Sequence, residues 1–222
     1  MSALVDHWPV AGLVIRTPRL ELRWPSEDDL VAMAELAARG IHDDDEMPFA
    51  FPWTRAPAGE LELNFLRHHW KQQAEWTPER WSWNPAVVLD GVVVGTQELA
   101  GREFAVRRLV ASGSWLGRSF QGQGIGTEMR AAVLHLAFAG LGARRADTGA
   151  YDDNPASLAV TRKLGYATNG ETVLAVEGKA RRSLNYVLTR DRWAPTQRSD
   201  IELVGLAPCL PHFGAGSDGT KS

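Results

Sequence analysis

Glycines occupy alternate positions in Gln121-Gly122-Gln123-Gly124-Ile125-Gly126, between a strand-like run at 112–116 and apolar residues at helical spacing, Ile125, Met129, Val133 and Leu136. Glycine lets a backbone turn sharply and lets a ligand approach it closely. The first amides of the helix that follows lack partners, and that helix end carries partial positive charge. Together these features predict an anion site suited to a phosphate or pyrophosphate. A nucleotide triphosphatase loop needs Gly-Lys-Ser/Thr, and Gly126-Thr127 has no lysine. A dinucleotide fingerprint needs G-x-G-x-x-G, and the spacing here is one residue short. His42 is followed by four acids, Asp43-Asp44-Asp45-Glu46, which either attract a cationic amine or form a solvated loop. His68-His69 lacks the H-E-x-x-H pattern and a nearby third ligand, so no metal site is expected. His135 reads as a helix-face residue. Cys209, near the C-terminus, is not expected to act as a nucleophile.

These residues need a scaffold. Residues 13–24 alternate loosely and read as one strand. Ser26 before Glu27, Asp28 and Asp29 is a helix N-cap signal; Leu30, Met33, Ala34 and Ala37 supply the apolar face, and Gly40 ends the helix. A second helix is read from about Gly59 to Trp76. Asp90-Gly91 between β-branched runs predicts a hairpin turn. A strand at 112–116, the glycine loop, a helix to about Gly140, a strand within 143–151 and a short helix behind Asn154-Pro155 follow. Late strands are read at about 172–177 and 183–190. This order predicts an α/β (α+β) fold, with a mixed, mostly antiparallel central sheet of about seven strands and helices on both faces. Residues 1–193 are read as one domain. Residues 194–222 are read as a C-terminal extension, with an extra strand near 201–206 and a disordered Gly/Ser-rich tail over 214–222.

Composition excludes several classes. Of 222 residues, 44% are hydrophobic and 23% charged, ordinary for a globular protein. The net charge of −3 leaves no basic surplus for nucleic acid. No apolar run approaches the ~20 residues of a membrane helix, and no targeting segment is seen, so no membrane partner is expected. One cysteine fits a reducing cytoplasm. Five of the nine tryptophans, Trp53, Trp70, Trp76, Trp81 and Trp83, fall in one region. They predict a large aromatic core, or else the wall of an acceptor pocket or a subunit interface. With the C-terminal strand, they suggest a homodimer.

In this context Gln121–Gly126 resembles the Q/R-x-x-G-x-G/A coenzyme A loop of the GNAT N-acyltransferases. Asn154-Pro155-Ala156-Ser157, Lys163-Leu164-Gly165-Tyr166 and the opening Arg16-Thr17-Pro18-Arg19-Leu20 with Leu22-Arg23 are similar to the ribosomal-protein N-terminal acetyltransferase branch, the RimJ/RimL type. The resemblance covers about residues 13–190. His42-Asp43, Met47-Pro48-Phe49, Pro52-Trp53-Thr54-Arg55 and Gly113–Gly117 also resemble a smaller actinobacterial group, one mycobacterial member of which is regarded as a succinyltransferase.

The resemblance implies an enzyme that moves an acetyl or succinyl group from acetyl-CoA or succinyl-CoA to a primary amine, carried by a small molecule or a protein, by direct attack. The alternative is a catalytically weak module of the same fold that senses acyl-CoA. Backbone amides from Gln121 through Gly122, Gln123, Gly124, Ile125 and Gly126 to Thr127 would hold the pyrophosphate. Arg118 would meet a phosphate, or else be a solvated loop arginine. The strand at 112–117 would pair with the pantetheine arm, and an N–H near Trp115 or Leu116, just before Gly117, would polarise the thioester carbonyl. Asn154 would bond the pantetheine arm, cap the helix after it, or both. Ser157 would face the thiol and replace, as acid, the tyrosine expected where Thr161 stands. Glu98 is the first candidate for the general base, whereas Glu128 reads as complementing the helix dipole. His42, Asp43, Trp53 and Arg55 would line the acceptor side, with Arg55 and His42 as the cations for a succinyl carboxylate.

Overall fold

Local signals build the first long helix as the sequence predicts. The Ser26 side chain accepts from the Asp29 N–H, and the Asp29 carboxylate accepts from the Ser26 N–H, a reciprocal cap on Glu27–Ala38. Asp90-Gly91 likewise forms its hairpin turn, with φ of 49° and 80° at the two residues. The structure is a computed structural model that describes residues 3–57 and 59–216. Its helices are α1 (Leu4–His7), α2 (Glu27–Ala38), α3 (Glu60–Ala74), α4 (Phe104–Arg107), α5 (Ile125–His135), α6 (Pro155–Lys163) and α7 (Arg190–Trp193). Its strands are β1 (Val14–Arg16), β2 (Leu20–Arg23), β3 (Arg80–Trp83), β4 (Ala86–Leu89), β5 (Val92–Arg102), β6 (Leu109–Leu116), β7 (Arg145–Tyr151), β8 (Ala167–Val176), β9 (Lys179–Thr189) and β10 (Glu202–Val204).

All ten strands join one sheet, in the order β10-β1-β2-β4-β5-β6-β7-β9-β8, with β3 paired to the far half of β5. The pair β6–β7 is parallel and the other pairs are antiparallel. The mixed, mostly antiparallel architecture is therefore as expected, but the count of about seven strands is too low. Residues 13–24 form two strands, not one, because Thr17 closes a turn in which its N–H donates to the Leu20 carbonyl. The short β3 and β10 account for the rest.

Helices cover both faces. Leu30, Met33 and Ala34 of α2 and Phe65 of α3 bury against Ala86 and Val88 of β4. Val87, which alternation turns the other way, joins the larger core with Ile125, Met129 and Val133 of α5.

Residues 194–213, expected as an extension, pack into that larger core. Strand β10 pairs with β1, and Cys209 and Phe213 are fully buried. The Trp76 indole N–H donates to the His212 carbonyl at 2.9 Å, and that of Trp81 to the Phe213 carbonyl at 3.0 Å. Trp8 and Trp24 complete this aromatic cluster. Of the features cited for a homodimer, Trp76, Trp81 and Trp83 are buried within the chain and β10 pairs with β1, whereas Trp70 is 50% exposed. The tail expected to be disordered from residue 214 is ordered at its start, where Ala215 is buried and its N–H donates to the Leu210 carbonyl at 2.9 Å; from residue 217 it lies outside the described residues.

One feature of the topology opens a site. Strands β6 and β7 pair only from Leu109↔Arg145 to Ala111↔Asp147. Beyond that β6 continues to Leu116 along β5, and β7 continues to Tyr151 along β9. The two strands part, and β6 has an open edge from Ser112 onward.

Candidate active site

The open edge of β6 ends at the glycine loop. Gly122 and Gly124 adopt φ of 73° and 80°, a left-handed conformation that disfavours side chains, and Gly124 leads directly into α5. A Cβ at Gly122 would meet nothing within 4 Å, so the space over the loop is clear. Among the described residues, the backbone N–H groups from Gly122 to Gly126 make no hydrogen bond, whereas those of Thr127 and Glu128 turn back to the Gly124 carbonyl. Consecutive free amides at a helix N-terminus form a site for a bulky anion such as a pyrophosphate.

Side chains around the loop brace it rather than face a ligand. The Gln121 amide donates to the carbonyls of Ile41 and Leu116, both at 2.9 Å. The Gln123 amide donates to the Ser119 carbonyl. Arg118 pairs with Asp43, so the arginine expected at a phosphate and the acid expected on the acceptor side face one another. Glu128 does more than complement the dipole. It accepts from the Thr17 hydroxyl at 2.6 Å, from the Arg19 N–H at 3.3 Å and from Arg19 Nε at 2.7 Å. Burial alone would raise its pKa, but the bonds from Thr17 and Arg19 outweigh burial and hold it below the ordinary carboxylate value. Arg19 in turn donates to the Gln123 carbonyl at 3.2 Å and so fixes the loop from β2's side.

The strand edge supplies directed amides. The Gly117 N–H bonds the Val94 carbonyl of the β5 side. In an antiparallel ladder, groups alternate between neighbours. Trp115 and Gly113 therefore also face β5, while Ser112, Ser114 and Leu116 present theirs to the opening. The Leu116 and Ser112 carbonyls confirm the phase, since they accept from Gln121 and from the Thr148 hydroxyl across the gap. Of the two N–H groups expected to polarise a carbonyl, that of Trp115 thus faces β5, while that of Leu116, like that of Ser114, faces the opening. The Trp115 side chain serves the α2–α3 face, packing on Trp53 and Phe65 at ring distances of 6.1 and 6.0 Å.

On that same face stands Glu98, cross-strand from Gly113. One oxygen accepts from the Ser82 hydroxyl at 2.6 Å, and Ser82 accepts from the Asn84 amide at 2.8 Å. The other oxygen lies 3.1 Å from where a Cβ at residue 113 would be, so the glycine lets the carboxylate close onto β6. A short step away, burial and His68 push the His69 imidazole down to about 4. Trp53, Phe49, Phe65 and Trp115 form an aromatic wall over this region.

Across the opening, Asn154 caps α6, accepting from the Ser157 N–H at 3.0 Å. Ser157 lies half-buried in that first turn. Thr161 is fully buried and its hydroxyl donates back to the Ser157 carbonyl at 2.9 Å, so it supplies no acid. Arg55 and His42 are not poised for a carboxylate. Arg55 pairs with Glu177 at 3.2 Å and donates to the carbonyls of Asp44 and Glu46. His42 bonds Thr54 Oγ1 and the Asp43 carbonyl, each at 2.7 Å.

Sequence reasoning missed Arg130, a buried arginine of α5 that reaches Ser114 Oγ at 3.1 Å. Its signal was a charge among the apolar positions of that helix. Among the described residues no cluster of His, Cys, Asp or Glu could hold a metal ion, and no helix is long and apolar enough to cross a membrane.

Comparison with known proteins agrees with this geometry. A RimL ribosomal L7/L12 alpha-N-protein acetyltransferase, solved with coenzyme A, is 21% identical with a TM-score of 0.64 over 79% of this chain and 97% of that one. Mycobacterium smegmatis RimJ, solved with a CoA disulfide, is 20% identical with a TM-score of 0.67 over 87% and 98%. A GNAT-family acetyltransferase from Bacillus anthracis is 19% identical with a TM-score of 0.63 over 80% and 99%. At these identities the likeness is one of fold. Residues 19–167, which run from the Arg19 clamp through the glycine loop to the end of the α6 motif, match the acetyltransferase (GNAT) domain, and the chain belongs to that family.

Proposed function

We propose that the protein is a CoA-dependent N-acyltransferase, with acyl-CoA lying in the gap between β6 and β7. The observation that carries this reading is the run of free amides from Gly122 to Gly126 at the mouth of that gap. The pyrophosphate rests on these amides. The pantetheine arm pairs with the Ser114 and Leu116 edge, and its far side meets Asn154 and Ser157. The thioester carbonyl takes the Ser114 N–H as its oxyanion donor.

The amine comes from the aromatic wall, on the face that carries Glu98. An amine arrives largely as ammonium near neutral pH. Glu98, held by Ser82, accepts its proton and leaves a neutral nucleophile. The exposed acids Asp44, Asp45 and Glu46 draw cations toward this face. Acetyl-CoA is the donor favoured by family membership. Succinyl-CoA is the second donor to test, although Arg55 and His42 are engaged elsewhere. A CoA thioester donor and a lone, unpaired cysteine favour a cytoplasmic place of action.

The test is thiol release from acetyl-CoA and succinyl-CoA against a panel of peptide α-amines, lysine amines and polyamines. We expect turnover with at least one amine and a loss of roughly 10²–10⁴-fold in kcat for Glu98→Gln. Firm CoA binding with no release for any amine would favour the sensor.

A further inference from the structure

Arg130 follows the glycine loop by about one turn of α5 and is 4% exposed. Its Nε donates to Gln97 Oε1 at 3.4 Å, Nη1 to Thr148 Oγ1 at 3.3 Å and Nη2 to Ser114 Oγ at 3.1 Å. All three acceptors are neutral. Burial lowers its pKa, yet a guanidinium keeps its proton in proteins, so a whole positive charge lies inside the molecule.

The acids nearby belong to other groups. Asp147 of β7 is gripped through both oxygens by Arg145. Glu128 of α5 is held by Thr17 and Arg19. Glu98 of β5 holds Ser82 on the opposite face of the sheet. His135, farther along α5, packs on Trp193. The Tyr166 hydroxyl and Ser112 Oγ lie beside Arg130, buried and without reaching hydrogen-bond geometry to it or to each other. Among the described residues no carboxylate forms an ion pair with Arg130. A buried charge without a counter-ion is costly, and the cost is relieved when an anion arrives.

The proposed reaction makes an anion at this place. Glu98 first passes the ammonium proton on to water. The neutral amine nitrogen then bonds the acyl carbon, the C–S bond breaks, its electron pair leaves on sulfur as CoA thiolate, and the proton still on the attacking nitrogen passes to the freed Glu98 carboxylate. A phenol at position 161 would have protonated that sulfur, and Thr161 offers none. Arg130 grips from behind the same Ser114 whose N–H faces the opening. We propose that Arg130 stabilises the departing CoA thiolate, a fixed cation in place of a proton donor. The proposal rests on the acyl-CoA reading above.

The thiol of bound CoA reports this directly and needs no acceptor. It is titrated on the protein by thiolate ultraviolet absorbance, with desulfo-CoA as the blank. Tyr166 does not interfere, because burial pushes its phenol above the ordinary value. In the native protein the bound thiol should titrate about one unit or more below free CoA, as thiols beside cations do. Arg130→Met should return it to the free value while desulfo-CoA still binds, and Arg130→Lys should restore part of the shift. A native bound thiol that titrates as in free CoA overturns the inference and leaves the acyl-CoA reading standing. A low value that survives Arg130→Met overturns the assignment to Arg130. No binding of CoA or desulfo-CoA overturns both inference and reading. Should Arg130→Met fail to fold, the native titration and Arg130→Lys still decide.

Discussion

Replacing Glu128 tests how the N-terminal segment fixes the anion loop. Its side chain is 8% exposed and accepts three times: from the Thr17 hydroxyl, the Arg19 N–H and the Arg19 guanidinium. Glu128→Ala removes all three bonds. Each of the two neutral donors loses about 1 kcal/mol. The Arg19 side chain is 45% exposed and can turn to water, so its ion pair adds only about 0.5 kcal/mol. The expected loss is about 2.5 kcal/mol, a fall of roughly 5–10 °C in Tm for a chain of this size. Glu128→Gln keeps an acceptor for Thr17 and should lose about 1 kcal/mol. Arg19 also loses its fixed position against the Gln123 carbonyl, and ordering the loop anew should weaken CoA binding by roughly 3–10-fold. The pH dependence follows from the depressed carboxyl. Its contribution is full above the ordinary glutamate value and is lost as pH falls through the lower folded-state value, so both variants should flatten the acid limb of the stability curve. Thermal melts and calorimetric CoA titrations read these effects. A Glu128→Ala melt within about 2 °C of native, with unchanged CoA affinity, would refute the clamp.

His69 titrates at about 4 in the folded protein against an ordinary 6.5. Between these values the unfolded chain binds a proton that the folded one refuses, so stability should fall by roughly 3 kcal/mol as pH drops from 6.5 to 4. Urea unfolding of His69→Leu should lack that slope, and an unchanged slope would place its origin elsewhere. Phe213 is fully buried against Trp76 and Trp81, at ring distances of 5.3 and 4.8 Å. Phe213→Ala should cost about 3–5 kcal/mol by urea unfolding, and a cost below about 1 kcal/mol would detach the C-terminal segment from the core.

Features governed by near neighbours were legible in the sequence. The Ser26 cap, the Asp90-Gly91 hairpin, the Asn154 cap and the glycine loop each follow from chemistry within a few residues, and each stands where expected. What was missed depends on distant partners. Strand β3 alternates, with Trp81 and Trp83 inward and Arg80 and Ser82 outward, but at four residues it is too short to stand out and owes its place to β5. Residues 194–213 look peripheral in sequence, yet Phe213 and Cys209 fill space that the tryptophans leave. Arg55 looked free because its partner, Glu177, is 122 positions away. Trp115 reads as a strand residue whose N–H meets a ligand, but the phase of the β5–β6 ladder turns that N–H to β5 and leaves those of Ser114 and Leu116 at the open edge. Arg130 was overlooked because its meaning lies in the strands above it, not in its helix.

The central claim is that the amides of Gly122–Gly126 hold the pyrophosphate of an acyl-CoA. Calorimetric titration of CoA, acetyl-CoA and succinyl-CoA into the native protein and into Gly124→Trp tests it most directly. At Gly124 the backbone has φ of 80°, and an indole would crowd the space over the loop. The native protein should bind CoA and its thioesters, and the variant should lose that binding with its fold intact by circular dichroism. Absence of binding to the native protein, or binding that Gly124→Trp leaves unchanged, would contradict it.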